Sequence, residues 1–360
     1  MVANRTIPDY FSKTIVISFA SPRLSRSQRP GLSYAYAVSA SQTYLHERLK
    51  LIMHFYVLST VALTLVTSPL LYAGEIKTSV SSARLVNLWR HDNLVAWCVV
   101  PFDANKRGPE ERAAMLEKLG FKHFAYDWRA EHVPTFDAEI VALKKHGVDL
   151  LAWWFPFDAD DPLAKATLET FKRHNVRPQL WVMQSGKKYD ASLTNEQQIT
   201  LNVERIARLV KLAAPYGCRI GLYNHNGWFG ILDHQIAILD RLQKLGLTDV
   251  GLVYNFSHAR DPQHDDTIEF PKLWQKIQPH VMAVNVTGMR MEGQIIYPSQ
   301  GDSELEMMRT IQQSGWVGPV GVIAEKGGDA EVTLKNYLIG LDWLATELNH
   351  PGSADRKSVV

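Results

Sequence analysis

The chain has 360 residues, 46% of them hydrophobic and 21% charged, with a formal net charge of +2. That balance suits one large globular domain or two modest ones. It excludes a fibrous or low-complexity chain and carries no electrostatic footprint for nucleic acid.

Residues 1–50 are rich in Ser, Arg and Tyr and hold no sustained period of 2 or 3.6, so they are expected to be disordered or not translated at all. The apolar run LIMHFYVLSTVALTLVTSPLLYA follows over residues 51–73, with Glu47, Arg48 and Lys50 just before it. Leu71-Tyr72-Ala73 resembles a small-residue cleavage site, which completes the layout of a secretory signal peptide. The run is also long enough to span a bilayer. Pro69 near its end and the missing positive flank after it speak against a permanent span. A start of translation near Leu49, from an alternative start codon, would give a short Lys-bearing segment ahead of the apolar core. The expectation is export to the periplasm or medium, with membrane anchorage as the alternative. Membrane contact is expected only through this segment if it stays uncleaved.

Residues 74–84 read as a polar linker, 85–348 as the folded domain and 349–360 as a flexible tail. Within the domain, short apolar runs alternate with longer amphipathic ones. The runs predict strands at Leu94–Val100, His123–Tyr126, Val148–Trp154, Gln179–Met183, Ile220–Tyr223, Val250–Tyr254, Val281–Val286 and Val320–Ile323. Between them come helices from Pro109 to Gly120, Thr135 to His146, Pro162 to His174, Thr194 to Pro215 or Tyr216, Leu232 to Leu245, Phe270 to Ile277, Ser303 to Ser314 and Val332 to Leu348. Pro109 with Glu110 and Glu111 suits a helix start, and Thr194 is placed to cap its helix. Eight β-α pairs over about 255 residues fit an α/β fold, a single (β/α)8 TIM barrel with an N-terminal signal-like extension. A doubly wound sheet usually shows a Gly-rich loop after strand one. Here Pro101-Phe102-Asp103 stands there instead.

Two cysteines, Cys98 and Cys218, make neither a disulfide framework nor a zinc pattern. Each sits in or beside an apolar strand, where a free thiol behaves as a small hydrophobe.

In a barrel, chemistry collects at the carboxyl ends of the strands. The stretch Arg219 to Gly230, a buried strand opening into a polar loop with Tyr223, Asn224, His225 and Trp228, marks such an edge most clearly. Strand two ends in Asp127, Trp128 and Arg129, strand three in Trp154 and strand four in Gln184. Strand six gives Asn255 and His258, strand seven Asn285, and Glu325 and Lys326 lie just past strand eight. Asp103, Phe155 and Thr287 also lie at strand ends. The run from His258 to Asp266, with Asp261, His264 and Asp265, has the donor types for a metal, though a charged loop is usually just solvated. Large aromatics at strand ends suit a sugar pocket.

Four segments carry a family resemblance over residues 94–347: Leu222-Tyr-Asn-His-Asn-Gly-Trp228, Val253-Tyr-Asn-Phe-Ser-His-Ala259, Ala283-Val-Asn-Val-Thr-Gly-Met289 and Gly318-Pro-Val-Gly-Val-Ile323. In order and spacing they resemble the xylose-isomerase-like TIM barrels, the sugar phosphate isomerase/epimerase superfamily. That resemblance implies carbohydrate metabolism, with histidines such as His225 and His258 contacting substrate. It also implies a divalent metal (Mn, Mg or Zn) held by Glu, Asp, His and Glu at the ends of strands five to eight. Tyr223, Asn255, Asn285 and Ile323 occupy those positions here, with Glu325 two residues late. Neutral amides are weak ligands for a hard cation. No metal is therefore expected unless that register is wrong.

Two functions are expected, with a small-molecule carbohydrate as partner in both. One is an isomerase, epimerase or related lyase on a sugar or keto-sugar, with His225, His258 and Glu325 as catalytic residues. Asp127, Trp128, Arg129, Trp154, Gln184, Tyr223, Asn224, Trp228, Asn255, Asn285 and Lys326 would then bind substrate. The other is a catalytically inactive barrel that binds a sugar or a partner after losing the metal site. A glycosidase using Asp127 and Glu325 as paired acids is a weaker third.

Overall fold

The computed structural model describes residues 88–184, 190–225, 227–261, 264–290 and 295–354. The expectations for residues 1–50, 51–73 and 74–84 fall outside these. Among the described residues no helix is long and apolar enough to cross a membrane.

Eight parallel strands close into a barrel: β1 (Leu94–Trp97), β2 (His123–Tyr126), β3 (Asp149–Trp154), β4 (Gln179–Val182), β5 (Ile220–Tyr223), β6 (Val250–Asn255), β7 (Val281–Val286) and β8 (Val320–Ile323). Each pairs with its sequence neighbour, and β8 pairs back onto β1, with Trp97 beside Ile323. The helices that cover it are α1 (Pro109–Lys118), α2 (Phe136–Lys145), α3 (Pro162–His174), α4 (Asn195–Ala213), α5 (Leu232–Lys244), α6 (Phe270–Ile277), α7 (Glu304–Gln313) and α8 (Ala330–Asn349).

Local chemistry sets the helix boundaries. Asp161 accepts from the Leu163 N–H at the start of α3, where Pro162 needs no hydrogen-bond partner of its own. Thr194 and Gln197 form a reciprocal capping box on α4. Asp329 caps α8, which therefore starts at Ala330 rather than at the expected Val332. Past α8, the Glu347 carboxylate accepts from the N–H groups of Gly352 and Ala354, folding residues 350–354 back onto the helix end.

Three strands are shorter than expected, β3 and β4 by one residue each and β1 by three. β1 stops at Trp97 because Cys98 turns left-handed, at φ 53°. The chain then leaves the sheet three residues before the expected end. Two short antiparallel ribbons were not anticipated: Arg260–Asp261 with His264–Asp265, and Gly288–Met289 with Ile295–Ile296. Segments of two residues are too short to show a period.

The core has two layers. Between sheet and helices, the buried Trp153 ring packs against Phe136 and Phe171 at 4.7 and 5.0 Å. Between α1 and α2, buried Arg112 makes a two-point ion pair with Glu139, at 2.9 and 3.0 Å. The second layer lies inside the barrel and consists of large rings, for which glycines leave room. A Cβ on Gly221 would stand 2.7 Å from Val253 and 2.8 Å from Trp181. One on Gly321 would stand 1.8 Å from the Asn285 side-chain oxygen.

Candidate active site

Four rings from four strands meet inside the barrel. Trp97 of β1 lies 4.9 Å from Trp181, 5.6 Å from Trp154 and 6.0 Å from Tyr223, between ring centroids. Trp154 in turn meets Tyr223 edge-on at 5.3 Å. Rings from β1 and β5, strands on opposite sides of the barrel, touch only if both point inward. Trp181 and Tyr223 are fully buried, and Trp154, half-buried, is the ring of this set that reaches water. Each such ring pair contributes about 0.5–1.5 kcal/mol beyond its area.

Polar groups sit on this floor. The Tyr223 hydroxyl accepts from Trp97 Nε1 at 3.0 Å and from Asn255 Nδ2 at 2.5 Å. The orientation of Asn255 is fixed from the other side, where its carbonyl oxygen accepts from the Ser257 N–H at 3.0 Å. Asn285 stands beside Asn255 in the β6–β7 register. Its amide approaches the Tyr223 hydroxyl without a well-aligned hydrogen bond. Loss of water, with the nearby Cys98 adding to it, holds Tyr223 well above the ordinary phenol range, so it stays protonated. A hydroxyl that already accepts two hydrogen bonds has its proton left to give.

Two imidazoles stand above this corner. His225 and His258 are 4.4 Å apart by ring centroid, at 6.4 and 6.0 Å from Tyr223. Burial pulls His225 below the ordinary imidazole range, which keeps it neutral at physiological pH. The structure thus brings together His225, His258, Tyr223, Asn255 and Asn285, with Trp154 at the edge.

A second group gathers at β1, β2 and β8. Asp127 is 2% exposed, with one oxygen taken by the Val100 N–H at 3.2 Å and the other without a partner. Burial pushes this carboxyl up to about 7, against the pull of Arg129. Glu325 is half-buried and raised for the same reason, again opposed by Arg129. Arg129 is anchored by donating to the carbonyls of Asp127 and Trp128, at 2.7 and 2.9 Å. Cys98 lies among them. Its thiol is held well above the ordinary range by loss of water, then by the charges of Asp127 and Glu325.

Other sequence-marked residues have different places. Asn224 is buried and stitches β5 to β6, exchanging hydrogen bonds with the Asn255 backbone at 2.7 and 3.3 Å. Trp228 donates to Asn195 at 2.7 Å and stacks on His234 at 4.3 Å, away from the ring cluster. Lys326 is exposed, with its ammonium over the Tyr297 ring at 4.1 Å. Trp128 donates to the Trp154 carbonyl at 2.7 Å and so supports the loop. Gln184 is buried just past β4. Asp103 holds Arg107 at 2.8 Å and accepts from the Ala330 N–H, which ties the loop after β1 to α8. In the loop from His258, Arg260 pairs with Asp265 at 3.2 Å and Tyr254 donates to Asp266 at 3.1 Å. Trp97, Trp181 and Cys98 were not marked by the sequence. A strand read through to Val100 hides both the inward end at Trp97 and the turn at Cys98.

The donors at the ends of β5 to β8 do not suit a hard divalent cation. Tyr223 is a protonated phenol, Asn255 offers only a neutral amide oxygen that already accepts one hydrogen bond, and Ile323 offers no donor and is fully buried. Among the described residues no group of three or more His, Cys, Asp or Glu side chains is placed to hold a metal ion.

No family model and no curated protein matches the chain. Solved structures do. The zinc-bound IolI protein matches with a TM-score of 0.52 at 15% identity, over 73% of this chain and 99% of that one. A xylose isomerase domain protein from Alicyclobacillus acidocaldarius subsp. acidocaldarius gives 0.53 at 14%, over 72% and 99%. The 3-keto-D-glucoside 4-epimerase YcjR from E. coli gives 0.52 at 15%, over 71% and 99%. At such identities the likeness is one of architecture. The chain therefore has the TIM-barrel fold that these xylose isomerase-like structures share.

Proposed function

We propose that this protein acts on a keto-sugar in the mouth of its barrel, as an epimerase or isomerase that works by proton transfer next to a carbonyl. The observation that carries this is the Tyr223 hydroxyl, whose oxygen accepts from Trp97 and Asn255 and whose proton is thereby left to give. Removing a proton beside a carbonyl moves charge onto the carbonyl oxygen, and a fixed neutral donor in a dry corner stabilises that charge well. His225 and His258 stand where a sugar hydroxyl would lie, and the half-buried Trp154 offers a flat face for a sugar ring. The fold supports this, since one protein that shares it is a 3-keto-D-glucoside 4-epimerase. In this proposal no metal takes part, and Tyr223 does what a cation would do. The signal-like run at residues 51–73 suggests that the barrel works outside the cytoplasm, where free glycosides are met.

A second reading, a barrel that binds sugar without converting it, is favoured by the neutral Tyr223, Asn255 and Asn285 at the strand ends. One experiment separates the two. Mature protein is mixed with methyl 3-keto-β-D-glucopyranoside or D-fructose in deuterated water, with binding followed by tryptophan fluorescence and α-proton exchange by NMR. The enzyme reading expects quenching and exchange. Quenching alone selects the second reading, and neither response refutes both.

A further inference from the structure

We propose that Asp127 is the proton-transfer residue of this barrel, its partnerless carboxylate oxygen taking a hydrogen from the carbon beside the keto group of the bound sugar. This rests on the keto-sugar reading above and moves the chemistry from the ends of β5 to β7 to those of β1, β2 and β8.

A buried aspartate with a purely structural role is normally satisfied at both oxygens. Asp127 is not. It is 2% exposed, receives one backbone N–H from Val100 at 3.2 Å, and its second oxygen has no partner. Neither nearby guanidinium takes that oxygen. Arg129 donates to the carbonyls of Asp127 and Trp128 instead. Arg112 reaches across from α1 but is held by Glu139 and by the Arg107 carbonyl. The remaining titratable groups around Asp127 are Tyr126 on β2 and the Cys98 thiol after β1. Glu325 follows β8, the neighbour of β1 in the barrel, and its charge is felt at Cys98 and opposed by Arg129.

Cys98 links the two halves of the mouth. It follows β1, which lies between β8 and β2 in the barrel, so the thiol, Asp127 and Glu325 belong to neighbouring strand ends, while Trp97, one residue before it, bonds Tyr223 across the barrel. A small sugar over the thiol would therefore have carboxylates at one edge and the Tyr223 hydroxyl at the other.

The step balances without a further reactant. Asp127 takes the proton, and the C–H electron pair becomes the carbon–carbon double bond of the enediolate. The carbonyl π pair moves onto oxygen, which receives the Tyr223 hydrogen bond. Return of the proton to the same carbon restores the ketone; delivery to its opposite face from a protonated Glu325 inverts that carbon and leaves Asp127 protonated and Glu325 ionised, states that exchange with solvent resets. A base works best when its proton affinity is matched to ambient pH. Burial has brought Asp127 to about 7.

The test uses the full mature chain, in the wild type and in Asp127→Asn, which keeps an acceptor for the Val100 N–H. Deuterium exchange into methyl 3-keto-β-D-glucopyranoside and D-fructose is followed by NMR, with binding read from tryptophan fluorescence. Expected is a loss of exchange of about 10²- to 10⁴-fold with binding retained. Wild-type exchange that survives Asp127→Asn overturns this assignment and leaves the keto-sugar reading standing. A wild type that exchanges neither sugar sinks that reading and the assignment with it. Should Asp127→Asn fail to fold, infrared titration of the wild type and of Glu325→Gln decides. Both must show one carboxylic-acid band lost between about pH 6 and 8, and its absence overturns the assignment.

Discussion

The indole N–H of Trp97 on β1 donates to the hydroxyl of Tyr223 on β5 at 3.0 Å, so one hydrogen bond spans the inside of the barrel. With the Asn255 amide at 2.5 Å it occupies the acceptor side of the hydroxyl, beside which the Asn285 amide also lies.

Tyr223→Phe should therefore cost both stability and chemistry. Two buried donors, Trp97 Nε1 and Asn255 Nδ2, lose their acceptor, at about 1–3 kcal/mol for each group left unpaired. Sugar α-proton exchange should fall by about 10²- to 10³-fold, the usual loss of one donor to a developing oxyanion. Chemical denaturation together with NMR exchange checks both. Unchanged exchange in a folded variant would remove Tyr223 from the chemistry.

Stability should fall with pH because of Asp127. Its carboxyl is raised from the ordinary range to about 7 in the folded state. The folded protein thus holds the proton more tightly than the unfolded chain. That contribution is fully present below the unfolded value, near 4, and is lost as pH rises through about 7, a swing of at most ~4 kcal/mol. Asp127→Asn removes it. Urea unfolding should show the variant gaining on the wild type between about pH 4 and pH 8. A constant offset across that range would contradict the shift.

Both thiols should be free and slow to react. Cys98 and Cys218 form no disulfide, and burial raises both thiols above the ordinary range, Cys218 to about 11. The thiolate is the reactive form. Ellman titration should count two thiols in denatured, unreduced protein and far fewer at neutral pH in the folded state. Fast labelling of Cys98 at neutral pH would contradict the environment described for it.

The strands were the legible part of this chain, because parallel strands covered on both faces read as continuous apolar runs. β2, β5, β7 and β8 begin and end where the pattern predicts. The site was only partly legible. The cluster of His225, His258, Tyr223, Asn255 and Asn285 follows from strand order alone. The part played by Trp97 does not, since an apolar residue at a strand end gives no sign of which side it faces. Asp127 was marked as a binding residue. Its orphaned oxygen is a property of the packed loop and of the turn at Cys98, which no local pattern encodes.

The mature protein should begin soon after Ala73. Edman sequencing of protein from its native host checks this, and a mature chain retaining residues 1–50 would contradict it.

The central claim is that proton transfer to and from a keto-sugar proceeds here on neutral donors and a buried carboxyl. The most direct measurement is α-deuterium exchange into methyl 3-keto-β-D-glucopyranoside by protein stripped with a chelator, before and after addition of Mn, Mg or Zn, with elemental analysis of protein never exposed to chelator. The account predicts well under one metal per chain and exchange that is equal with and without added metal. Stoichiometric metal in the untreated protein, with exchange that vanishes on stripping and returns on addition, would contradict it.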